Sequence, residues 1–467
     1  MIAELKPYPK MKDSGVEWVG GVPEHWGVDP IARHGSLFKG SGGSKEDEVE
    51  EGVPCVRYGD LYTRHEFFIQ ETKACVTPER AAAYTPIRFS DVLFAASGET
   101  IEDIGRSAVN LMEADACCGG DVLVFRPRAN MDARFLGYAA DSPASRHQKA
   151  CMGRGFTVVH IYGSELKRLA LPVPPLPEQT AIVRFLDYAD RRIRRYIRAK
   201  QKLIKLLEEQ KQATIHRAVT RGLDPDVPLK DSGVEWLGEV PDHWEVTRVK
   251  GEFECLNRRR IPLSSSERGE MTLRRYDYYG ASGVIDQVDD YLFDDELLLI
   301  AEDGANLVLR NLPLAIIARG RFWVNNHAHI LKPRRGNLDF LAWTMEAMNY
   351  EPWISGAAQP KLTKDRLMGI SIAVPPRQEQ DRIVQSVSGE TMPLREAAAK
   401  AQREVSLLRE LRSRLIADVV TGKLDVRDVA TRLPEEGDGV DEVDYFEEDE
   451  TALEDMDLDA ELEEIEA

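Results

Sequence analysis

The chain has 467 residues, 43% of them hydrophobic and 30% charged, which is too long for one ordinary core and suggests two or more domains. No apolar run reaches bilayer-spanning length, and the opening, with Lys6, Pro7, Pro9 and Lys10, lacks a signal-peptide stretch, so a cytoplasmic chain with no membrane association is expected. The net charge of −19 is concentrated: 433–467 holds 18 Asp and Glu and no Lys or Arg, and the body without it stands at −1, which leaves room for basic clusters that meet phosphate.

In chain order, the N-terminal segment 1–26 carries Lys12-Asp13-Ser14-Gly15-Val16-Glu17-Trp18 and then Pro23-Glu24-His25-Trp26. Both return 218 residues later, at Lys230 to Trp236 and at Pro241-Asp242-His243-Trp244. A repeat this long makes the molecule two copies of one plan, with two similar surfaces for a partner.

Residues 27–175 hold short β-rich runs, Val92-Leu93-Phe94 and Val122-Leu123-Val124-Phe125, punctuated by Gly, Asp and Asn. They read as a compact α/β domain with a curved sheet and long loops. Its basic and aromatic candidates are Arg57, Tyr58, Arg64, Arg106 and Arg154. Gly40-Ser41-Gly42-Gly43-Ser44-Lys45 lacks phosphate-loop spacing and reads as a flexible loop. Ser97-Gly98-Glu99 reads as a tight turn.

A helix is predicted over 176–224. Pro174-Pro175-Leu176-Pro177-Glu178-Gln179 starts it, Val219-Thr220-Arg221-Gly222-Leu223-Asp224 ends it, and Ile182, Phe185, Leu186, Ala189, Ile193, Tyr196, Ile197, Leu203, Ile204 and Leu207 fall at helical spacing. About 40 residues at roughly 1.5 Å each make a rod near ~60 Å. Its face with Arg191, Arg192, Arg194, Arg195 and Arg198 suits phosphate, solvent or an acidic partner equally.

After the repeated linker 225–244, a second α/β domain is expected over 245–376, with strands at Leu297-Leu298-Leu299-Ile300 and Phe322-Trp323-Val324. Its candidates are Arg258, Arg259, Arg260, Arg274, Arg275, Tyr276, Asn325, Asn326 and Gln359. Arg can bridge guanine O6 and N7, and Asn or Gln adenine N6 and N7, although solvated surface is the plainer alternative for any one of them. His327 and His329 alternate on an expected strand and share a face, but no Cys or carboxylate cluster completes a metal site. Glu302-Asp303-Gly304 reads as a turn.

The second helix is predicted over 377–425. Pro375-Pro376-Arg377-Gln378-Glu379-Gln380 and Val420-Thr421-Gly422-Lys423-Leu424-Asp425 lie 201 residues after their first copies. The helical parts therefore match in length, while the second domain is shorter by 17 residues. Gly389 and Pro393 predict a kink or break. The remainder, 426–467, is read as an acidic, disordered tail, either a solubilising extension or a mimic of DNA that competes for basic grooves.

Cys55, Cys75, Cys117, Cys118, Cys151 and Cys255 form no C-x-x-C pair and suit reduced core thiols. No constellation of catalytic residues stands out. A protein-holding scaffold and an enzyme with an unrecognised site remain as alternatives to a DNA reader.

The ordered double set of motifs resembles the specificity subunit of type I restriction–modification systems, over nearly the whole chain to about Asp425. Tyr58-Gly59-Asp60, Ser97-Gly98-Glu99-Thr100 and Gly119-Gly120-Asp121 look like the first target-recognition domain. Tyr279-Gly280-Ala281-Ser282-Gly283, Asp303-Gly304, Trp323 to His329 and Gln359-Pro360-Lys361-Leu362 look like the second. The resemblance implies an α/β fold, with two target-recognition domains joined by two long antiparallel coiled-coil helices in a pseudo-twofold internal repeat. It implies a non-catalytic subunit that reads a bipartite target in double-stranded DNA. Two adenine-N6 methyltransferase subunits would dock on it, and ATP-dependent restriction subunits would join. S-adenosylmethionine, ATP and magnesium would then belong to partners, with no cofactor or metal on this chain. Trp18, Trp26, Trp236 and Trp244 are expected to pin head to rod.

Overall fold

The computed structural model describes residues 5–43, 47–128, 131–155, 158–303, 306–310, 312–356 and 360–434. They form two compact units, Met1–Tyr196 with Leu407–Ala467, and Ile197–Ser406. Each unit contains one variable head, a stretch of the first long helix and a stretch of the second.

The first head is a five-stranded sheet in the order Gly35–Lys39, Val122–Pro127, Val92–Ala95, Ser107–Asn110, Phe67–Ile69. Neighbours are antiparallel until the last pair, which is parallel. The second head repeats the plan with Phe253–Cys255, Ala328–Pro333, Phe293–Ala301, Ala315–Val324 and Tyr276–Tyr279. Its fifth strand again pairs in parallel, and Val284–Val288 adds a sixth. The apolar runs lie in these sheets because both their faces are covered: Val92 to Ala95 and Leu297 to Ala301 are all buried. The helices Ala133–Ala140 and Leu338–Glu346 follow the matching strands, capped by the side chains of Asp132 and Asn337. A smaller sheet, including Val53–Val56, Cys75–Val76 and Ala116–Cys118, is added to the first head. Most thiols lie buried or half-buried here as expected, but Cys151 is exposed.

The two ends of each head are zipped together. Gly27–Pro30 pairs antiparallel with Ala170–Val173, and Glu245–Arg248 with Ser371–Val374. A loop-rich domain thus starts and finishes beside its helix.

The long helices are Leu176–Arg221 and Arg377–Val420, of 46 and 44 residues. Gly222 and Gly422 follow them in the left-handed region, at φ +75° and +73°, where glycine closes a helix without a Cβ penalty. Within each unit the helix stretches run antiparallel. Arg412 pairs with Asp190 in the first unit, and Lys200 meets Glu404 at 2.6 Å and Arg217 meets Glu390 at 3.9 Å in the second. Ile215, Ala218 and Val219 share a core with Ile383 and Val387. The predicted stripe of the first helix is covered unevenly: Tyr196 and Leu203 are exposed.

Two expectations are corrected. The second helix is unbroken through Gly389 and Pro393, so of the expected kink or break the break is not formed. Both residues are exposed, and the buried neighbours Ile383, Val387, Ala401 and Val405 hold the flanking turns, which offsets the hydrogen bond that Pro393 denies the Gly389 carbonyl. The tail also starts later than expected. Arg427–Thr431 is a short helix, and Val426, Val429, Ala430 and Leu433 are buried at helical spacing. The acidic residues 435–467 lie outside the described residues.

Candidate nucleic-acid interface

The repeated motifs converge on one joint per unit, and the joints position the heads. In the first, the Glu178 carboxylate accepts from the Trp26 indole at 2.9 Å and the Tyr8 hydroxyl at 3.0 Å. His25 lies 2.6 Å from it and Arg427 3.6 Å. Burial, reinforced by Glu178, keeps Tyr8 protonated far above its ordinary range. In the second joint Glu379 accepts from the Trp244 indole at 3.1 Å, with His243 at 2.8 Å. The next residue works the other way. Gln179 accepts from the Asp132 backbone N–H at 2.8 Å and Gln380 from that of Asn337 at 2.7 Å, so each holds the start of a head helix. Gly422 abuts Pro23 and Trp26, and Gly222 abuts Trp244. Trp26 and Trp244 therefore pin head to rod as expected. Trp18 instead lies against His147 of the first head, and Trp236 against Trp353 of the second.

The first head brings several candidates together. The short helix Asp60–Thr63 carries Tyr62, whose hydroxyl donates to the Ser97 carbonyl at 2.9 Å. Burial, and next the Asp103 carboxylate, push this phenol up to about 12, so it remains a donor. Ser97–Gly98 is a strand paired with Val159–His160, where a turn was expected. The Ser97 hydroxyl lies 3.0 Å from His160 Nδ1, and Arg154 bridges to His160. Segments bearing Arg57, Tyr58, Arg64, Arg106 and Arg154 thus meet around this pairing. Tyr58, Ile101, Val158 and Tyr162 around it are between 44% and 55% exposed. The guanidiniums lie near carboxylates: Arg106 is 3.1 Å from Asp103, Arg154 3.0 Å from Glu165, Arg57 3.5 Å from Glu48, and Arg64 3.9 Å from Asp60. The Arg154 side chain is 70% exposed, and a solvated pair of that kind contributes little, about 0–1 kcal/mol, so exchanging its carboxylate for a phosphate costs little.

In the second head, Asp303 bridges to Lys361, the counterpart of the Ser97–His160 pairing. The Glu302 carboxylate lies 2.5 Å from Arg260 and 3.4 Å from Lys361. Arg260 also donates to the Asn326 and Ala328 carbonyls at 3.0 and 2.9 Å. Its guanidinium braces the loop. Asn325 is buried, and its amide oxygen accepts from the His327 N–H at 2.8 Å. His327 lies 2.9 Å from Asp303, whose hydrogen bond raises its pKa. His329 is buried, with Nε2 donating to the Leu362 carbonyl at 2.7 Å and Nδ1 accepting from Asn257 at 2.8 Å; burial lowers its pKa. No metal-binding group occurs among the described residues.

The other candidates separate. Arg258 and Asn326 are exposed, and no side-chain hydrogen bond or ion pair holds them among the described residues. Arg259 lies over the Phe293 ring at 4.7 Å and donates to the Leu292 carbonyl. Arg274 pairs with Asp286 at 3.1 Å. Arg275 is exposed, and Tyr276 packs 5.1 Å from Tyr291. Asn325 meets the Tyr279 end of Tyr276–Tyr279, so Arg274, Arg275 and Tyr276 stand at the other end, roughly 10 Å away at the rise of a strand. Gln359 lies outside the described residues, as do Gly304, Ser44 and Lys45. Sequence reasoning missed Lys361 and Tyr162. Lys361 sits inside a quoted motif, but Tyr162 gives no local signal because its surroundings come from distant segments.

The comparisons with known proteins agree with this double plan. A family model described as the type I restriction modification DNA specificity domain matches residues 39–206 and again 241–388. A protein of Haemophilus influenzae named as a type I restriction enzyme specificity subunit is 36% identical over 160 residues. That match spans 33% of this chain and 37% of the relative. The type I restriction enzyme StySPI specificity subunit of Salmonella potsdam is 19% identical over 79% of this chain and 82% of its own. A chain from a solved structure on complex assembly and conformational transition of the type I R-M system is similar with a TM-score of 0.60. It is 16% identical, covering 85% of this chain and 98% of its own, and supports the fold.

Proposed function

The chain belongs to the family of type I restriction–modification DNA specificity domains, and on that premise we propose that its two heads each read one half of a split DNA target. The observation that carries the proposal is the doubling: the family match falls once on each head, and the heads share one sheet plan but differ in their exposed side chains. Two unlike reading surfaces on like frames suit two unlike half-sites separated by unread bases. Arg64, Arg106 and Arg154 take phosphate in place of their neighbouring carboxylates. Arg258, Arg275 and Asn326 reach base edges in the major groove.

The long helices act as the ruler that sets the gap. Two adenine-N6 methyltransferase subunits dock on helices and heads, and ATP-driven restriction subunits join them in the cytoplasm. S-adenosylmethionine, ATP and magnesium serve those partners, and this chain does no chemistry itself.

The test is selection of binding sites from randomised duplexes by the chain with its methyltransferase partners. Two short conserved blocks at a constant gap are expected, with log affinity falling linearly in log salt. Replacing Arg258 and Arg275 with Ala should relax one block alone, by about 1–3 kcal/mol per lost bidentate contact. A single continuous block, or indifference to sequence, contradicts the proposal.

A further inference from the structure

On the first unit, Arg184, Tyr188, Arg191, Arg192 and Arg195 recur at intervals of three and four along the first long helix, which places them on one face. The four arginines are exposed, whereas Phe185, Leu186, Ala189 and Ile193 on the packing side are buried. Arg192 donates to the Tyr188 hydroxyl at 2.9 Å and lies over its ring at 5.6 Å, which lays the cation along the stripe. At the foot of the stripe, Arg184 donates to the backbone carbonyl of Leu433 at 2.6 Å and reaches that of Pro434 at 3.5 Å. The described chain therefore leaves the folded body beside Arg184. Beyond it lie 435–467, with 18 carboxylates, no Lys or Arg, and apolar residues that include Tyr445, Phe446, Leu453 and Leu458.

We propose that the acidic segment 435–467 docks along the Arg184–Arg195 stripe and screens it from other polyanions. The stripe is about 16 Å long at the helical rise, well within reach of so many residues. Charge selects the occupant, and the exit point selects this segment over an acidic partner in solution. A short tether gives an effective concentration near ~1 mM, so weak pairings at four arginines suffice and salt reverses them. A stripe covered in this way contributes nothing to phosphate binding, unlike the arginines of the heads.

The test uses the full chain with p-benzoylphenylalanine in place of Phe446. Illumination at low salt should cross-link it to peptides within 184–199. High salt should abolish the cross-link, as should joint substitution of Arg184, Arg191, Arg192 and Arg195 by Glu. Arg192→Glu alone is the milder variant, and a thermal melt reports whether either still folds. Cross-links confined to the head segments 57–64, 99–106 or 154–162, to a second copy, or to nothing would overturn the proposal. Truncation after Pro434 should also strengthen binding to heparin several-fold at low salt, and the Glu substitutions should remove that gain. Unchanged heparin affinity would overturn the screening role. Neither readout requires sequence-specific DNA, so the result is separable from the reading of the heads.

Discussion

At the scale of single residues, the joints depend on side chains that no short motif announces. Gly422 and Gly222 close equivalent helices with nearly the same φ, but a Cβ at 422 would stand 2.3 Å from Pro23, whereas one at 222 meets nothing nearer than 3.5 Å. Both Gly→Ala variants incur the left-handed cost of about 1–2 kcal/mol, and the one at 422 adds a steric overlap. Chemical denaturation should show Gly422→Ala as the more destabilised, and equal losses would argue against the tight joint. Lys149 is the second case. It is fully buried, 2.9 Å from Asp141, although in sequence it looks like an ordinary solvated lysine. Burial raises the Asp141 pKa, but Lys149 and Arg146 outweigh that and hold it below its ordinary range. Burial lowers the Lys149 pKa, so the stabilising contribution belongs to the carboxylate: it is present above about pH 4, the ordinary range of the unfolded carboxyl, and fades as pH falls through the lower folded value. Lys149→Met should cost about 1–3 kcal/mol at neutral pH, because it removes one charged donor from a buried carboxylate that Arg146 still holds. A loss below ~1 kcal/mol would mean that Asp141 is satisfied without it.

At the scale of elements, the long helices were legible because apolar spacing, Pro at the start and Gly at the end agree. Pro393 does not break the helix, because buried residues on both sides of it hold the flanking turns. The proline still costs the helix a hydrogen bond. Pro393→Ala should raise the unfolding free energy by roughly 1–3 kcal/mol, and a loss of stability would show that the proline is needed for the helix path. Also hidden from sequence is a clamp between the first head and both helix stretches of its unit. Glu66 accepts from Arg194 and Arg412 at 2.7 Å, and Arg412 also pairs with Asp190. Three distant segments meet there, so no local pattern records it. Arg412→Met should lower the melting temperature, whereas Arg412→Lys should recover only part of it because one ammonium cannot fork between two carboxylates. Full recovery by Lys would reduce the clamp to simple charge.

At the scale of the molecule, the repeat offsets of 218 and 201 residues already contained the double plan, and the two sheets with one strand order express it. The contact residues were less legible. Arg260 and Asn325 are candidates in sequence; the Glu302 carboxylate beside the one and the His327 amide beside the other are partners that only tertiary structure shows. If the heads read and the helices measure, lengthening both long helices equally should change the gap between half-sites and leave both half-site sequences intact. Exchanging one head should change one half-site alone. A map of N6-methyladenine across host DNA, made with and without this chain, bears on both roles together. A split motif with a constant unread gap and a methylated adenine in each half, present only with the chain, is the predicted result. A continuous motif, or a map that the chain does not change, would contradict it.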